Sequence, residues 1–115
     1  MKTPFRLNLI LSETGFNMFF NTYQRTALEV LWKYPDGLST REVWKYTNEE
    51  IEGTISRASI INFLAAVADY EILEYREESG KGGNRRYYTH KYDENQLRQY
   101  LSGIVIKALD TLDQT

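Results

Sequence analysis

The hydrophobic pattern of this chain changes abruptly after residue 70, and that change limits the folds it can adopt. Residues 72–77 (ILEYRE) alternate between apolar and polar side chains, and residues 85–90 (RRYYTH) form a second strand-like segment. Between them lies SGKGGN, a glycine-rich loop over residues 79–84. Two strand-like segments joined by a short glycine-rich loop predict a β-hairpin.

Three helices are predicted before the hairpin. The first begins after Asn21, a capping residue with Gln24 at the reciprocal position, and runs to about residue 34. The second begins at the capping box of Ser39 and Glu42, and the third follows Ser56 and extends over residues 57–70. The positions expected to face the core repeat at helical spacing and are Ala27, Leu28, Leu31, Trp32, Val43, Trp44, Thr47, Ile60, Phe63 or Leu64, and Val67.

The two ends of the chain carry apolar residues that a small domain has difficulty covering. Residues 5–11 alternate weakly and predict a short N-terminal strand, followed by a turn and an aromatic patch over residues 16–20. A last helix is predicted after Asp93, with Gln96 completing its capping box. Its wide apolar face predicts a homodimer interface, formed by Leu97, Tyr100, Leu101, Ile104, Val105, Ala108 and Leu112.

Three helices followed by a basic two-stranded hairpin are typical of a winged helix-turn-helix. The predicted fold class is mainly α with a small β-hairpin (α+β), with an N-terminal strand and a C-terminal dimerisation helix. Residues 1–20 are expected to form an N-terminal extension packed in the dimer, residues 21–91 the winged helix-turn-helix domain, and residues 92–115 the dimerisation helix. The third helix would be the recognition helix and the glycine-rich tip the wing.

Charge is distributed unevenly along a chain whose formal net charge is only −2. Residues 79–91 hold Lys81, Arg85, Arg86 and Lys91 and no acidic residue, so positive charge is concentrated around the predicted wing. The chain has no cysteine, which excludes disulfides and thiolate metal sites, and it has no segment resembling a signal peptide or a membrane span. A soluble cytoplasmic protein of one domain's length, without a membrane partner, is expected.

Several segments together resemble the penicillinase repressor family, which includes the methicillin-resistance repressor and the copper-responsive repressors. The resemblance covers residues 22–91 and is carried by ALEVLW (residues 27–32), GLSTREV (residues 37–43), ISRASI (residues 55–60) and the wing. It implies a dimeric repressor whose third helix enters the major groove of double-stranded DNA. It also implies that the wing contacts the DNA backbone and that the C-terminal part dimerises.

The resemblance assigns DNA-contacting roles to particular residues. Ser56, Arg57, Ser59 and Asn62 would lie at the major groove, and Lys81, Arg85 and Arg86 would contact phosphates. Arginine pairs well with guanine and asparagine with adenine, which suits Arg57 and Asn62 to base edges. Ser39 and Thr40, at the start of the second helix, complete the predicted DNA-contacting set.

The chain departs from the family pattern at three points. The turn after the third helix usually holds a glycine, whereas this chain has Glu71, which either adopts a left-handed conformation at a cost of about 1 kcal/mol or changes the turn. The C-terminal part is one predicted helix rather than several. The cysteine tail of the copper-responsive members is absent, so no copper sensing is inferred.

No residue pattern indicates an enzyme or a cofactor site. His90 is the single histidine, so neither a catalytic triad nor a histidine metal site has partners, and it is expected to be an ordinary strand residue. The acids Glu49, Glu50 and Glu52 match no calcium loop, and the glycine-rich tip lacks the spacing of a phosphate-binding loop.

Three functions therefore stay open at this point. The first is a sequence-specific DNA-binding regulator, expected to be a homodimeric repressor that recognises a palindromic operator. The second is a winged helix that contacts only proteins, which the modest net charge favours. The third is a small-molecule sensor with an aromatic pocket between the N-terminal segment and the C-terminal helix.

Overall fold

The computed structural model describes residues 5–80 and 83–113, with side chains as far as Thr111. A 3₁₀ turn (Gly15–Met18) precedes α1 (Thr22–Trp32), β1 (Leu38–Ser39), α2 (Thr40–Glu50) and α3 (Arg57–Asp69). The chain continues with β2 (Leu73–Gly80), β3 (Gly83–His90) and α4 (Glu94–Asp113). This α+β arrangement is the predicted winged helix-turn-helix, with β2 and β3 forming the wing. No helix among the described residues is both long and apolar enough to cross a membrane.

The helix starts predicted from capping residues are confirmed. The backbone N–H of Gln24 donates to Asn21 Oδ1 at 3.1 Å, and the Asn21 N–H donates to Gln24 Oε1 at 2.9 Å. The same reciprocal pair opens α2 at Ser39 and α4 at Asp93. Each box satisfies two backbone donors that the first helical turn would leave without partners.

A third strand joins the hairpin, and the sequence analysis does not predict it. The sheet order is β1-β3-β2, all antiparallel, and Leu38 of β1 pairs with Tyr88 at the centre of β3. The preceding Gly37 has φ +98°, and a Cβ there would come within 2.9 Å of Thr89 Cγ2 and 3.1 Å of the Tyr88 carbonyl oxygen. Glycine is therefore required for the chain to enter the sheet so close to β3.

The core lies between the three first helices and the base of the sheet. All predicted core positions are buried except Trp32 and Trp44, which are half-buried. The indole N–H groups of these two tryptophans donate to the carbonyls of Tyr92 and Ile55, at 3.0 and 2.9 Å. Each of these half-buried tryptophans therefore has a hydrogen-bond partner for its single polar group, the indole N–H. The other core members are Phe16, Phe20, Val30, Leu38, Ile72, Leu73, Tyr88, Leu97 and Leu101.

Helix α3 ends in a left-handed turn centred on a non-glycine residue. Glu71 has φ 63°, so the first of the two expected alternatives is found. The Ile72 N–H donates to the Val67 carbonyl and the Glu71 N–H to the Ala68 carbonyl, both at 3.0 Å. These two hydrogen bonds are those of a Schellman cap, and Ile72 and Val67 are both fully buried beside it.

The predicted N-terminal strand is wrong. Residues 5–10 have no strand pairing; instead the Leu7 N–H donates to the Tyr70 hydroxyl at 3.2 Å. The ring of Phe5 packs edge-on against Phe63 at 5.2 Å. Phe5 and Leu7 are half-buried while Arg6 is exposed, so the start of the segment lies on the domain without forming a strand. Leu9 and Leu11 are exposed, so the alternation does not continue as a buried side.

Two expectations about uncovered apolar surface also need correction. Phe16 and Phe20 are buried within the chain, so the aromatic patch of residues 16–20 needs no partner to cover it. Leu97 and Leu101, assigned to the dimer interface, are 0% and 2% exposed because the first half of α4 packs on the protomer's own core. Side chains 106–111 are all exposed, including Ile106 at 60% and Leu109 at 57%.

Candidate nucleic-acid interface

An open groove of about 720 Å³ runs between the start of α2, one side of α3 and strand β3. In a winged helix this groove separates the third helix from the wing. Its lining residues come from three segments and are Ser39, Thr40, Arg41, Glu42, Arg57, Ile61, Ala65, Asn84, Arg85, Arg86, Tyr87 and Tyr88. Five of the predicted DNA-contacting residues, namely Ser39, Thr40, Arg57, Arg85 and Arg86, are thereby brought to one surface.

Helix α3 presents a defined row of side chains to the groove. Arg57, Ile61 and Ala65 are spaced four residues apart, so they lie on the same side of the helix. Arg57 is exposed at the first position of α3. Asn62 is exposed as well, but it lies outside the groove lining, one position around the helix from Ile61.

The predicted serine contacts are engaged in capping. Ser56 Oγ accepts a hydrogen bond from the Ser59 backbone N–H at 3.1 Å and lies 2.8 Å from Ser59 Oγ. Ser39 Oγ accepts from the Glu42 N–H at 3.2 Å, and Ser39 is 9% exposed. Ser39 therefore lies at the groove, but its hydroxyl is used to cap α2 and so fixes where that helix begins.

The two wing arginines lie opposite acidic residues of the neighbouring strand. In the β2–β3 register, Arg86 is paired with Glu77 and Arg85 with Glu78. Because successive side chains of a strand point to opposite faces, Arg85 and Arg86 leave β3 on different sides, although both residues contribute to the groove lining. Residues 79–91 contain no acid, so the sequence predicts a strongly basic wing. The pairing of β2 with β3 adds Glu77 and Glu78 to the wing and makes it less basic than predicted. Lys81 lies outside the described residues.

Arg86 is held by several contacts within the wing. Its guanidinium stands 4.1 Å from the centre of the Tyr75 ring, and its Nε lies 3.6 Å from Glu77 Oε1. Its Nη1 donates to the Tyr88 hydroxyl at 3.4 Å, and this hydrogen bond is the main cause of a raised Arg86 pKa. The charge of Arg86 is thus fixed in position at the wall of the groove.

Arg41 is a groove residue that the sequence analysis misses. It lies on the first turn of α2, is exposed, and faces the same groove as Arg57. Its position two residues after the Ser39 cap, on the side of α2 away from Val43 and Thr47, is the signal that could have identified it. Within the described ranges, Arg41, Arg57 and Arg85 form no salt bridge.

Basic residues outnumber acids in the groove lining, and Glu77, 3.6 Å from Arg86, offsets part of this charge from outside the lining. The lining contains four arginines and one acid, Glu42. Glu42 Oε1 accepts the Ser39 N–H at 2.9 Å as part of the capping box, so this carboxylate already has a structural partner. A concave surface with a clear excess of positive charge is suited to a polyanion.

The other chemistry-bearing residues lie away from the groove. His90 Nε2 is 2.7 Å from the Leu28 carbonyl oxygen, and its ring stacks on Trp32 at 4.0 Å. Burial lowers the His90 pKa to about 4. Glu50 pairs with Lys33 at 3.2 Å. Across residues 5–80 and 83–113, no group of three or more histidine and carboxylate side chains is arranged to hold a metal ion.

Comparison with known proteins supports the fold and leaves the family open. No family model matches the sequence, and a search of curated proteins finds no match. Among solved structures, the chain is similar to a possible transcriptional regulator from Methanosarcina mazei Go1, with 20% sequence identity and a TM-score of 0.63. The similarity covers 83% of this chain and 75% of that one. At this identity it establishes a shared fold, and the resemblance to the penicillinase repressor family is not established by it.

Proposed function

We propose that this protein is a transcriptional regulator that binds double-stranded DNA through the groove between α3 and the wing. The observation that carries the proposal is the convergence of four exposed arginines, Arg41, Arg57, Arg85 and Arg86, from three segments of the chain. Duplex DNA carries about one negative charge per 1.7 Å of its axis, so such a surface gains affinity by neutralising phosphates and releasing counterions.

In this proposal α3 is the recognition helix. A helix fits the major groove of DNA, which is about 12 Å wide. Arg57, on the first turn of α3, lines the protein groove, and Asn62 is exposed nearby on the same helix. Arg57 would read guanine and Asn62 adenine. Ser56 and Ser59 stay proposed contacts of this turn. The wing residues Lys81, Arg85 and Arg86 would contact phosphates, and Ser39 and Thr40 would bring the start of α2 to the same strand.

The regulatory role is supported by the fold shared with the possible transcriptional regulator from Methanosarcina mazei Go1. Repression, in place of activation, rests on the resemblance to the penicillinase repressor family. A non-catalytic, cytoplasmic protein acting on a palindromic operator completes the proposal, since two-fold symmetry in a dimer would be matched by the DNA site.

The second half of α4 supports homodimerisation. Ile104 still packs against the protomer core, but beyond it the helix leaves the core, and Val105, Ala108 and Leu109 lie on one side with partial or full exposure. Exposed apolar surface of this kind usually marks an interface. Tyr100, Ile104, Val105, Ala108 and Leu112 stay in the proposed interface, the side chain of Leu112 lying outside the described part of the chain. The buried Leu97 and Leu101 are withdrawn from it. Within the described part of the extension, Phe5, Leu7 and the segment 16–20 pack on the protomer, whereas residues 8–15 are exposed, including Leu11 at 80%. Packing of residues 1–20 in the dimer therefore stays a proposal beside the role of residues 92–115.

Selection from random duplexes tests the proposal. The purified protein is incubated with a duplex library at moderate salt, and bound sequences are read out. We expect enrichment of a palindrome with half-sites about one or two helical turns apart, as for a two-fold dimer. A well-folded protein that enriches no sequence would contradict sequence-specific binding.

Removal of single charges shows whether the groove is the contact surface. Arg57→Ala is expected to weaken binding to the selected duplex and to make affinity less steeply dependent on salt, because one phosphate or base contact is lost. Lys33→Ala is the matched control, because this substitution also removes one positive charge but does so outside the groove lining. Lys33 pairs with Glu50 at the far end of α2. Equal losses in the two variants would indicate nonspecific attraction and contradict the assigned surface.

The rival function is a winged helix that contacts only proteins. Glu77 and Glu78 favour it, because they lie opposite Arg86 and Arg85 and reduce the net charge of the wing. Association with a protein that changes little between low and high salt, together with no duplex binding, would support this alternative.

A substitution in α4 tests the dimer separately. Leu109→Glu is expected to convert a dimer to a monomer in sedimentation equilibrium, because it places a charge in the proposed apolar interface. Lys107→Glu is the control on nearly the opposite side of the helix. If both variants sediment like the wild type, α4 does not form the interface.

A further inference from the structure

Ile61 is a large apolar side chain in the middle of the arginine-lined groove. It is 44% exposed, and it lines the groove together with Arg57 and Ala65 of the same helix. Isolated apolar residues are common on protein surfaces and need no explanation by themselves. The position of Ile61 is informative because α3 turns this row, and not its opposite side, toward the wing.

The row combines one polar and two apolar side chains. Arg57 comes first, Ile61 follows one helical turn later and Ala65 another turn later, each step advancing about 6 Å along the helix. Ile61 can neither donate nor accept a hydrogen bond. A base edge placed opposite it would therefore be recognised by apolar contact alone.

The major groove offers one apolar group for such a contact. Each base presents hydrogen-bonding atoms there, and thymine also presents its C5 methyl group, which packs against apolar side chains in direct readout. 5-Methylcytosine carries the same methyl group at the same ring position. The chemistry that fits Ile61 is consequently a pyrimidine C5 methyl.

We propose that Ile61 is a specificity-determining residue that packs against a pyrimidine C5 methyl in the major groove. The inference rests on the proposed DNA-binding function and adds to it the chemical group that the centre of α3 reads. The methyl lies one or two base pairs from the base pair read by Arg57, because one helical turn advances about as far as two stacked base pairs.

A methyl scan of the selected duplex tests the inference. Each thymine is replaced in turn by deoxyuridine, which removes the C5 methyl and leaves every hydrogen-bonding atom in place, and binding is measured by fluorescence anisotropy. At one position in each half-site we expect about fourfold weaker binding, the change that corresponds to about 0.8 kcal/mol for one buried methyl group. Ile61→Ala is expected to bind the thymine and deoxyuridine duplexes equally at that position.

Two further variants control for indirect effects. Ile61→Val keeps a branched apolar side chain and is expected to retain most of the preference for thymine. Asp69→Ala, exposed at the end of α3 and outside the groove lining, is expected to keep the full preference. A loss of the preference in Asp69→Ala as large as that in Ile61→Ala would overturn the assignment to Ile61.

The remaining outcomes identify the source of the methyl and separate the two proposals. A pair of duplexes with cytosine or 5-methylcytosine at the sensitive position shows whether a methylated cytosine restores affinity, which would extend recognition to methylated DNA. Thymine and deoxyuridine duplexes that bind wild-type protein equally at every position would overturn the Ile61 proposal and leave the DNA-binding function standing. Failure of wild-type protein to bind any duplex would overturn both.

Discussion

Acidification is expected to destabilise this protein through His90. The imidazole stacks on Trp32 with an interplanar angle of 8°, and its Nε2 lies 2.7 Å from the Leu28 carbonyl oxygen. Its Nδ1 is buried and makes no hydrogen bond to the residues that the structure describes. Burial disfavours the imidazolium and outweighs the opposing hydrogen bond to Leu28, so the pKa of His90 falls from 6.5 to about 4.

The direction follows from proton binding in the two states. An unfolded chain takes up a proton at His90 as the pH falls through 6.5, while the folded chain stays neutral there until the pH approaches about 4. The stability contributed by the neutral, buried ring is therefore present above pH 6.5 and is lost as the pH falls toward 4. Linkage gives a loss of about 2 kcal/mol at pH 5 relative to pH 7, rising to about 3 kcal/mol at pH 4.

Urea denaturation followed by circular dichroism at pH 7 and pH 5 measures this loss. His90→Phe provides the comparison, because a phenyl ring can stack on Trp32 but cannot titrate. The variant is expected to be less stable than the wild type at pH 7, since the Leu28 carbonyl loses its partner, but its stability should fall by about 2 kcal/mol less on going to pH 5. Carboxylates that titrate in both proteins cancel in this difference. Equal pH dependence of the two proteins would refute the reasoning.

Three other substitutions probe the fold and the proposed interface. Glu71→Gly is expected to stabilise the protein by about 1 kcal/mol in urea denaturation, because glycine adopts the φ of 63° without strain, and an unchanged or lower stability would contradict this. Gly37→Ala is expected to destabilise it by more than about 1 kcal/mol, since a Cβ would meet Thr89 at 2.9 Å, and a neutral effect would show that β1 can shift. Asn62→Ala is expected to relax the base preference at one position of the selected site, and an unchanged preference would remove Asn62 from the proposed base contacts.

Local chemistry explains why the helices could be predicted. A capping box needs two side chains three residues apart and no contact from elsewhere in the chain, so Asn21, Ser39 and Asp93 identify helix starts directly. Helical spacing then identifies the buried stripe of each helix, because one side must be removed from water. The hairpin is equally local, since its two strands are neighbours in the chain.

Features that depend on distant contacts could not be predicted in this way. Strand β1 is two residues long and becomes a strand only by pairing with β3, nearly fifty residues later. The alternation of residues 5–11 predicts burial only at its start, where Phe5 packs on Phe63 and Tyr70 instead of on a neighbouring strand, while Leu9 and Leu11 are exposed. The burial of Leu97 and Leu101 likewise depends on where α4 docks, which no periodicity records.

The candidate site shows the same division. Arg57 and Asn62 follow from the position of α3 in the predicted order, and both are exposed on that helix. The exposure of Arg41 and Ile61 on their helices can be predicted from helical spacing, but that both face one groove beside β3 follows only from the assembly of the three elements. The acids opposite the wing arginines require the strand register, which depends on how the tip is closed.

The β2–β3 register predicts that the four arginines contribute unequally to the salt dependence of DNA binding. Arg86 already contacts Glu77 and Tyr75, so a DNA phosphate competes with an acid at this residue. Glu78 lies opposite Arg85 in the register but is paired with Arg76 at 2.7 Å. Arg41 and Arg57 are exposed without a salt bridge in the described parts of the chain. Each of these two is therefore expected to contribute more to the release of counterions on binding.

Two double variants separate the contributions. Arg85→Ala with Arg86→Ala is expected to weaken binding to all duplexes and to reduce the slope of log affinity against log salt concentration by less than about 2 per DNA-bound protomer, because the partly neutralised Arg86 releases fewer counterions. Arg41→Ala with Arg57→Ala is expected to reduce the slope by close to 2 per DNA-bound protomer. A larger reduction for the wing pair would mean that Glu77 does not compete with phosphates, and that the wing is the main electrostatic contact.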